Sequence, residues 1–303
     1  MVNVSKIFFK NISFYMLGLA FLLLAKIKYY LFGYTTSKPS NITEYEKCYE
    51  YDIRIVDQWL SHLNNYTDNN YDLRNMNVLE LGPGSDLGVG LYLLYKGVLR
   101  YNSCDIYNNV KNVPGAFYEM FFKRLRKTNG MRPIDYLEKE LEKTSNNLSS
   151  DINYVVSGDF NLVSAFKSNT IDIVFSQAAF EHFDNVENTI KQLSIVCKPN
   201  AIIIAEIDLK THSRWIREKD PNNIYRYSNF IYKLHSVRAT PNRNRPYAYY
   251  ELFKKYGWRD IKIIPLSIID KKKMIPDRYL TKNFRENKNE MNYLSIIILA
   301  KNK

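Results

Sequence analysis

The chain has 303 residues, with 43 Lys+Arg against 31 Asp+Glu, and therefore a formal net charge of +12. Hydrophobic residues make up 46% of it and charged residues 24%, which are the proportions of a folded globular protein and exclude a disordered chain or a collagen-like repeat. Cys48, Cys104 and Cys197 lie far apart without a CxxC spacing. The sequence therefore indicates neither a disulfide framework nor a metal site, and it predicts a reducing, cytoplasmic environment.

The charge is distributed unevenly along the chain. Residues 1–35 carry four lysines and no acid, residues 36–208 carry 17 basic and 23 acidic residues, and residues 209–303 carry 22 basic and 8 acidic residues. The middle of the chain is mildly acidic, so each basic end needs its own explanation.

Residues 1–35 predict an apolar helix. The 15 uncharged residues between Lys10 and Lys26 cover about 22 Å as a helix, which is less than a bilayer core of about 30 Å. Spanning would need apolar help up to Phe32 and lysine side chains that reach the interface. Three interpretations stay open: a membrane anchor over 11–32, a helix packed on the domain or a partner, and a cleaved signal peptide, although no small-x-small site follows Ala25.

Residues 36–303 predict one α/β domain. A helical pattern over Tyr45–Leu63 precedes five short strands, predicted at 77–81, 152–156, 171–175 and 201–207, with the second strand ending at 103–106. Intervening helices are predicted at 87–95, 117–125 and 186–196. Apolar strands alternating with helices are typical of a doubly wound parallel sheet. Strands at 261–264 and 293–299 follow a helix over 247–256 without a helix between them, which predicts an antiparallel last strand in a seven-stranded sheet.

Polar residues and glycines follow the predicted strands, where ligands bind in such sheets. Glu80 and Gly82-Pro83-Gly84 follow the first strand, Asp105 and Ile106 end the second, Gly158-Asp159-Phe160 follow the third, and Ser176 to His182 follow the fourth. Leu87 replaces the third glycine of a dinucleotide-binding motif, and a phosphate-cradling Gly-Lys-Thr loop is missing from the sequence. An acid beside a glycine turn fits a ligand with an amino acid and a sulfonium better than a pyrophosphate.

These landmarks, with Lys198-Pro-Asn200 before the fifth strand, resemble the class I S-adenosylmethionine-dependent methyltransferases of the methyltransferase-11 type. The resemblance covers residues 73–209 in motif detail and implies an enzyme with a Rossmann-like fold. It implies cofactor contacts from Glu80, Gly82, Pro83, Gly84, Asp105, Ile106, Gly158, Asp159, Phe160 and Ser176, with Asp105 on the ribose and Asp159 and Phe160 at the adenine. Asp86 stands where a third glycine is usual, which is similar to methyltransferases of bacterial polysaccharide gene clusters.

Residues 210–246 form an insertion of about 37 residues before the last helix. We expect it to cover the cofactor and to form the acceptor pocket. Arginine forks suit phosphate or carboxylate groups, so the sequence predicts an anionic acceptor such as a diphosphate-linked sugar. The predicted acceptor-binding residues are Arg214, Arg226, Arg243 and Arg245.

Methyl transfer to a hydroxyl usually requires a base for the alcohol proton. His212, just after the fifth strand, is the first candidate, with Asp208 as the group that orients it and His182 as a second candidate. A structural role is the alternative for each: His212 orienting the insertion, His182 packing in the cofactor loop and Asp208 capping the loop backbone.

The sequence thus favours O-methylation of a sugar in a glycan or glycolipid precursor at the cytoplasmic membrane face. An RNA or small-molecule methyltransferase and a methyltransferase-like scaffold without turnover remain alternatives. Nucleic acid is disfavoured as a partner because the N-terminus is membrane-like and the sequence contains no recognisable RNA-binding module.

Overall fold

Helices and strands alternate along most of the chain. A computed structural model describes residues 2–33, 42–69, 71–213, 215–238, 240–270 and 274–303, with side chains from residue 7 onward. Its helices are α1 Val2–Phe32, α2 Tyr45–Tyr66, α3 Gly88–Tyr95, α4 Gly115–Leu125, α5 Ile134–Ser145, α6 Leu162–Ala165, α7 Val186–Val196, α8 Asn229–His235 and α9 Pro246–Lys255. Its strands are β1 Asn77–Leu81, β2 Arg100–Asp105, β3 Ile152–Val156, β4 Ile171–Gln177, β5 Cys197–Asp208, β6 Arg259–Ile268 and β7 Tyr293–Lys301.

The seven strands form one sheet in the order β3-β2-β1-β4-β5-β7-β6. The pairs from β3 to β5 are parallel, whereas β7 is antiparallel to both β5 and β6. The predicted fold class, a doubly wound and mostly parallel sheet with an antiparallel last strand, is confirmed. Strand order reverses between β1 and β4, so the carboxyl ends of these two strands border the crevice in which such sheets bind ligands.

Helices bury both faces of the sheet. Along β1, Val78 packs into one hydrophobic cluster and Leu79 into the other, because successive side chains of a strand point to opposite faces. On the first face Trp59 of α2 stacks on Phe175 of β4, with ring centroids 4.7 Å apart. Each fully buried side chain of this kind contributes about 1.5–3 kcal/mol, which explains why β1, β4 and β5 contain continuous buried runs rather than alternating.

The structure also contains helices that the hydrophobic pattern did not predict. In α5 only Leu137 and Glu140 are buried, so its apolar stripe is narrow. Glu140 accepts hydrogen bonds from the Asp151 N–H at 2.6 Å and the Ser150 hydroxyl at 2.9 Å, so a buried acid fixes the helix beside β3. This contact joins residues that are not neighbours in the sequence, and periodicity does not reveal it.

Helix α1 is the predicted apolar N-terminal helix. Its segment Ile7–Phe32 is long and apolar enough, by length and composition, to cross a bilayer, and only 11% of its most apolar window is buried in the fold. Its buried side contacts residues of the 210–246 insertion, which contains one short 3-10 turn at Asn223–Arg226 and helix α8.

Candidate active site

A cavity of about 610 Å³ lies at the carboxyl ends of the central strands, beside the reversal of strand order. It brings together residues predicted from separate parts of the sequence. Those that line it are Glu80, Gly82, Pro83, Gly84, Asp105, Ile106, Asp159, Phe160, His182, Asp208 and His212.

The glycine turn after β1 forms one wall of the cavity. Gly82 and Gly84 have φ angles of 71° and 80°, a region that side chains other than glycine rarely adopt. The Gly82 N–H donates to the Cys104 carbonyl at 2.9 Å, which ties the turn to the end of β2. A Cβ at Gly82 would lie 2.9 Å from the Cβ of Ala179, so the loops after β1 and β4 approach each other too closely for a side chain.

Two larger residues in the cavity wall also adopt positive φ. Phe160 has a φ of 54° and Ala178 a φ of 49°, conformations that cost free energy and concentrate at binding sites. The Phe160 ring packs on Phe183 with centroids 4.7 Å apart. Asp159 is exposed and accepts a hydrogen bond from the Ser157 hydroxyl at 2.8 Å.

Two buried acids lie at the ends of β1 and β2. The Tyr101 hydroxyl donates to Glu80 at 2.5 Å, and the Tyr107 N–H donates to Asp105 at 3.1 Å. Burial raises the pKa of Asp105, and N–H groups of the following turn partly offset this effect. The Asp105 carboxylate therefore sits in a desolvated place where hydroxyl donors of a ligand would stabilise its charge.

Asp86, the departure from the usual third glycine, has a local structural role. Its carboxylate is buried and accepts a hydrogen bond from the Gly88 N–H at 2.9 Å. That N–H belongs to the first turn of α3 and has no partner inside the helix, so Asp86 stabilises the start of the helix as a capping residue does.

The two histidines meet at the other end of the cavity. The rings of His182 and His212 have centroids 4.7 Å apart. Burial, and then the proximity of His182, lower the pKa of His212 to about 3, so this imidazole is neutral at physiological pH. Its Nε2 is buried and has no hydrogen-bond partner among the described residues.

Asp208 is held by Arg217 rather than by His212. The His212 Nε2 lies 3.9 Å from the Asp208 carboxylate, which is too far for a hydrogen bond. Arg217 forms an ion pair with the same carboxylate oxygen, and the Lys210 N–H donates to the other at 3.0 Å. Asp208 thus acts on the His212 imidazole through its nearby negative charge and not through a hydrogen bond.

Glu181 adds a buried acid to this end of the cavity. Neither carboxylate oxygen has a hydrogen-bond partner among the described residues. Burial raises the pKa of Glu181 well above its ordinary value, and the nearby charges of Asp208 and Glu206 add to the increase. Polar atoms of Glu181, His182 and His212 lie within 4.8 Å of one another, so the three form a compact group able to hold or move a proton.

Several predicted site residues lie outside the cavity lining. The Ser176 hydroxyl is buried and donates to the Leu81 carbonyl at 3.3 Å, and Gly158 contributes a carbonyl that accepts from Arg238. Arg214 lies outside the described residues.

Three of the predicted acceptor arginines are buried and bonded to the protein itself. Arg226 pairs with Asp220 at 2.8 Å. Arg243 donates to the Tyr227 carbonyl at 2.7 Å, and Arg245 donates to the Asn289 carbonyl at 2.9 Å. None of the three lines the cavity, and their contacts hold the insertion together.

Three arginines that were not among the predicted acceptor-binding residues line the cavity instead. Arg54 of α2 and Arg217 and Arg238 of the insertion line the cavity. Arg54 is exposed and lies over the ring of Tyr51, which also borders the cavity. Helical spacing predicted α2 but could not place it against the strand ends, and nothing in the sequence distinguishes Arg217 and Arg238 from the other arginines of the insertion.

A family model described as a methyltransferase domain matches residues 114–205. No curated protein sequence matches the chain. Among solved structures, it is similar to a protein from Galdieria sulphuraria assigned as a sarcosine dimethylglycine methyltransferase, at 16% identity and a TM-score of 0.45, over 83% of this chain and 86% of that one. It is also similar to phosphoethanolamine N-methyltransferase 2 of Haemonchus contortus in complex with S-adenosyl-L-methionine, at 14% identity and a TM-score of 0.44, over 81% of this chain and 52% of that one.

The family match covers α4 to β5, the part of the sheet that carries Asp159, Ser176 and His182. The topology around it, with an antiparallel β7 inserted between β5 and β6, and the glycine turn after β1 agree with the match. By this domain match and this fold, the chain is an S-adenosylmethionine-dependent methyltransferase, and S-adenosylmethionine is its cofactor.

Proposed function

We propose that this methyltransferase binds its cofactor along β1, β2 and β3 and methylates a hydroxyl of a glycan or glycolipid precursor at the histidine end of the cavity. The cavity residues fit the cofactor by their chemistry. Gly82, Pro83 and Gly84 line the cavity, and the two glycines place no side chain between their backbone and a ligand. Glu80 and Asp105 supply carboxylates for cationic and hydroxyl groups, and Phe160 supplies an aromatic surface for a base.

The observation that carries the proposal is the buried, unpartnered Nε2 of His212 in the same cavity as the glycine turn. The cofactor, held by the glycine turn, Glu80 and Asp105, would supply a methyl group on a positively charged sulfur, which would leave as a neutral thioether. His212 Nε2 would accept the proton of the acceptor hydroxyl. Asp208, 3.9 Å away, stabilises the resulting imidazolium, and His182 beside it orients the hydroxyl.

The cavity wall carries more acids than bases, and its three arginines are the groups that support an anionic acceptor. Arg54, Arg217 and Arg238 line the cavity, with Arg217 beside Asp208 and Arg238 beside the Gly158 carbonyl, whereas Arg226, Arg243 and Arg245 lie outside its lining. Guanidinium groups bind phosphate oxygens through paired hydrogen bonds. We therefore assign acceptor binding to the first three, and a diphosphate-linked sugar supplies the matching negative charge.

The apolar α1 beside the insertion supports membrane association of the enzyme through residues 11–32. A lipid-linked precursor is itself held at the membrane, so a domain next to the bilayer meets its acceptor at high local concentration.

Methyl incorporation from labelled S-adenosylmethionine tests the proposal. We expect label in lipid- or nucleotide-linked saccharide and none in RNA, and activity that is unchanged by a metal chelator because the base is a histidine. Label in RNA, or an absolute requirement for a divalent metal, would contradict it. Cofactor binding without transfer to any hydroxyl acceptor would instead favour a scaffold without turnover.

A further inference from the structure

The contacts of α1 bear on how this helix meets a membrane. They run along one side of the helix and end on the 210–246 insertion. The Arg226 guanidinium donates to the Asn11 side chain at 3.0 Å, and the Lys26 ammonium donates to the Leu234 carbonyl at 2.6 Å. These two helix residues are about 22 Å apart along the axis, so the domain lies beside most of the helix rather than at its end.

The middle of α1 is the part most closely fitted to the domain. The Asn223 side-chain amide donates to the Phe14 carbonyl at 2.9 Å, and the Tyr227 hydroxyl donates to the Tyr15 carbonyl at 3.1 Å. A Cβ at Gly18 would lie 1.9 Å from the Asn223 side-chain oxygen, so glycine is what allows this approach.

These polar contacts argue against a helix that crosses the bilayer. If Ile7–Phe32 spanned the membrane, Gly18 and its neighbours would lie near the bilayer centre, and the Arg226–Asp220 ion pair that holds Asn11 would lie within the hydrocarbon core. Charged and amide groups at that depth cost several kcal/mol, and the loop backbone around them would face lipid.

The other side of α1 is exposed and apolar. It presents Phe8, Phe9, Ile12, Met16, Leu23, Leu24, Ile27 and Leu31. The domain continues this surface, because Trp215, which is 77% exposed, stacks against Phe21 with ring centroids 6.5 Å apart. Leu234, whose carbonyl accepts from Lys26, is also exposed, and so is Phe230 in the same helix α8. We call these side chains of α1, with Trp215, Phe230 and Leu234, the apolar face.

The lysines beside the apolar face indicate which kind of surface it binds. Residues 1–35 contain four lysines and no acid, and Lys233 is exposed next to Leu234. Each basic group near an anionic bilayer contributes about 1 kcal/mol to binding. An apolar face with an exposed tryptophan and flanking lysines matches the interface of an anionic bilayer, where indole rings and lysines concentrate.

We propose that α1 lies in the plane of an anionic membrane, half immersed through the apolar face, and does not span it. This rests on the membrane association proposed above and adds its geometry. The far end of α1 reaches the cofactor side, since Tyr29 lies within hydrogen-bonding reach of Tyr107, two residues after Asp105. The helix thus joins the acceptor insertion to the cofactor loop, and the cavity lies next to the bilayer surface, where the head group of a lipid-linked acceptor would be.

Vesicle flotation of the full chain tests the proposal, with Trp215 as an internal probe. The other two tryptophans, Trp59 and Trp258, are buried, so a change in emission reports on Trp215. We expect binding to vesicles that contain phosphatidylglycerol, weaker binding to phosphatidylcholine alone, a blue shift on binding, and quenching by lipids brominated near the head group. Trp215→Phe should remove the shift and the quenching.

A double substitution on the apolar face, Phe9→Glu with Leu24→Glu, should reduce vesicle binding at least tenfold. The matched control, Leu148→Glu with Val163→Glu, changes two other exposed apolar residues and should leave binding unchanged. Tight vesicle binding without any change at Trp215 would show a helix inserted away from the domain and overturn the proposal. Failure to bind anionic vesicles would also overturn the proposal. A concentration-dependent dimer in that case would show that a second copy of the chain covers the apolar face. None of these results depends on methyl transfer, so they are distinct from a failure of the proposed reaction.

Discussion

The cofactor end of the cavity is held by backbone contacts between strand ends, whereas the acceptor end is held by side chains that are far apart in the sequence. At the first end, the Gly82 N–H bonds to the Cys104 carbonyl and the Ser157 N–H to the Asp105 carbonyl. At the second, Arg245 donates to the carbonyls of Glu290 and Tyr293. Side-chain substitutions at the cofactor end should therefore change ligand affinity more than the free energy of unfolding. At the acceptor end, the residues that govern catalysis differ from those that govern stability.

The largest effect should come from the proposed base. His212→Gln keeps the size and polarity of the side chain but removes the basic nitrogen, so we expect kcat to fall about 10²- to 10⁴-fold. The dissociation constant of the cofactor should change less than about twofold, because none of the proposed cofactor contacts involves His212. Steady-state kinetics and calorimetry on the same preparation measure both. An equal loss in cofactor affinity would remove the distinction between the two ends.

Two arginines separate stability from acceptor binding. Arg243 is buried over the Tyr232 ring and bonds the carbonyls of Ile224 and Tyr227, so Arg243→Leu should lower the free energy of unfolding by about 3 kcal/mol. Arg54→Leu, at an exposed residue of the cavity rim, should leave stability unchanged and raise KM for an anionic acceptor about 5- to 10-fold. Urea unfolding measures the stability of the two variants, and steady-state kinetics measure their KM for the acceptor. An Arg243→Leu variant that stays stable and loses only acceptor affinity would return acceptor binding to the buried arginines.

Substitutions at two glycines, Gly82 in the turn after β1 and Gly158 after β3, form a test and its control. Gly82→Ala places a Cβ 2.9 Å from the Ala179 Cβ at a positive φ, and should cost about 1–3 kcal/mol of stability and weaken cofactor binding. Gly158→Ala follows β3, has open space around its Cβ, and should change either quantity only slightly. Thermal unfolding with and without cofactor measures both variants. Equal effects of the two substitutions would show that close approach at Gly82 is unimportant.

Acid should unfold the protein partly through His212. The pKa of this imidazole is about 3 in the fold and about 6.5 in an unfolded chain, so the unfolded state gains a proton first and stability falls as pH decreases from 6.5 toward 3. Between pH 7 and pH 5 the loss should be about 2 kcal/mol smaller in His212→Gln. Glu181, whose pKa is raised by burial, acts in the opposite direction in both proteins. Urea unfolding of both proteins at pH 7 and pH 5 measures this difference in stability loss. An equal loss in the two proteins would mean that His212 is accessible to water.

The sequence predicted the sheet and the cofactor end because both follow from local patterns. Apolar runs separated by helical spacing gave all seven strands, and β1 and β3 have the predicted limits. Glycines and acids directly after those strands were brought into one cavity by the parallel sheet itself.

The acceptor end depends on contacts between segments far apart in the chain, which a local pattern does not contain. An arginine that binds a ligand and one that binds carbonyl groups, such as Arg54 and Arg243, look alike in sequence. The same reason explains why α2 was predicted as a helix but not as a wall of the cavity.

Calorimetric titration of S-adenosylmethionine into three proteins tests the central claim most directly. The wild type should bind it, Asp105→Asn should bind it about 10- to 100-fold more weakly because a charged acceptor of hydrogen bonds is lost, and Asp159→Asn, at an exposed position, should lose less than about fivefold. No binding by the folded wild type, or an Asp105→Asn variant that binds as tightly as the wild type, would contradict the assignment of this cavity to the cofactor.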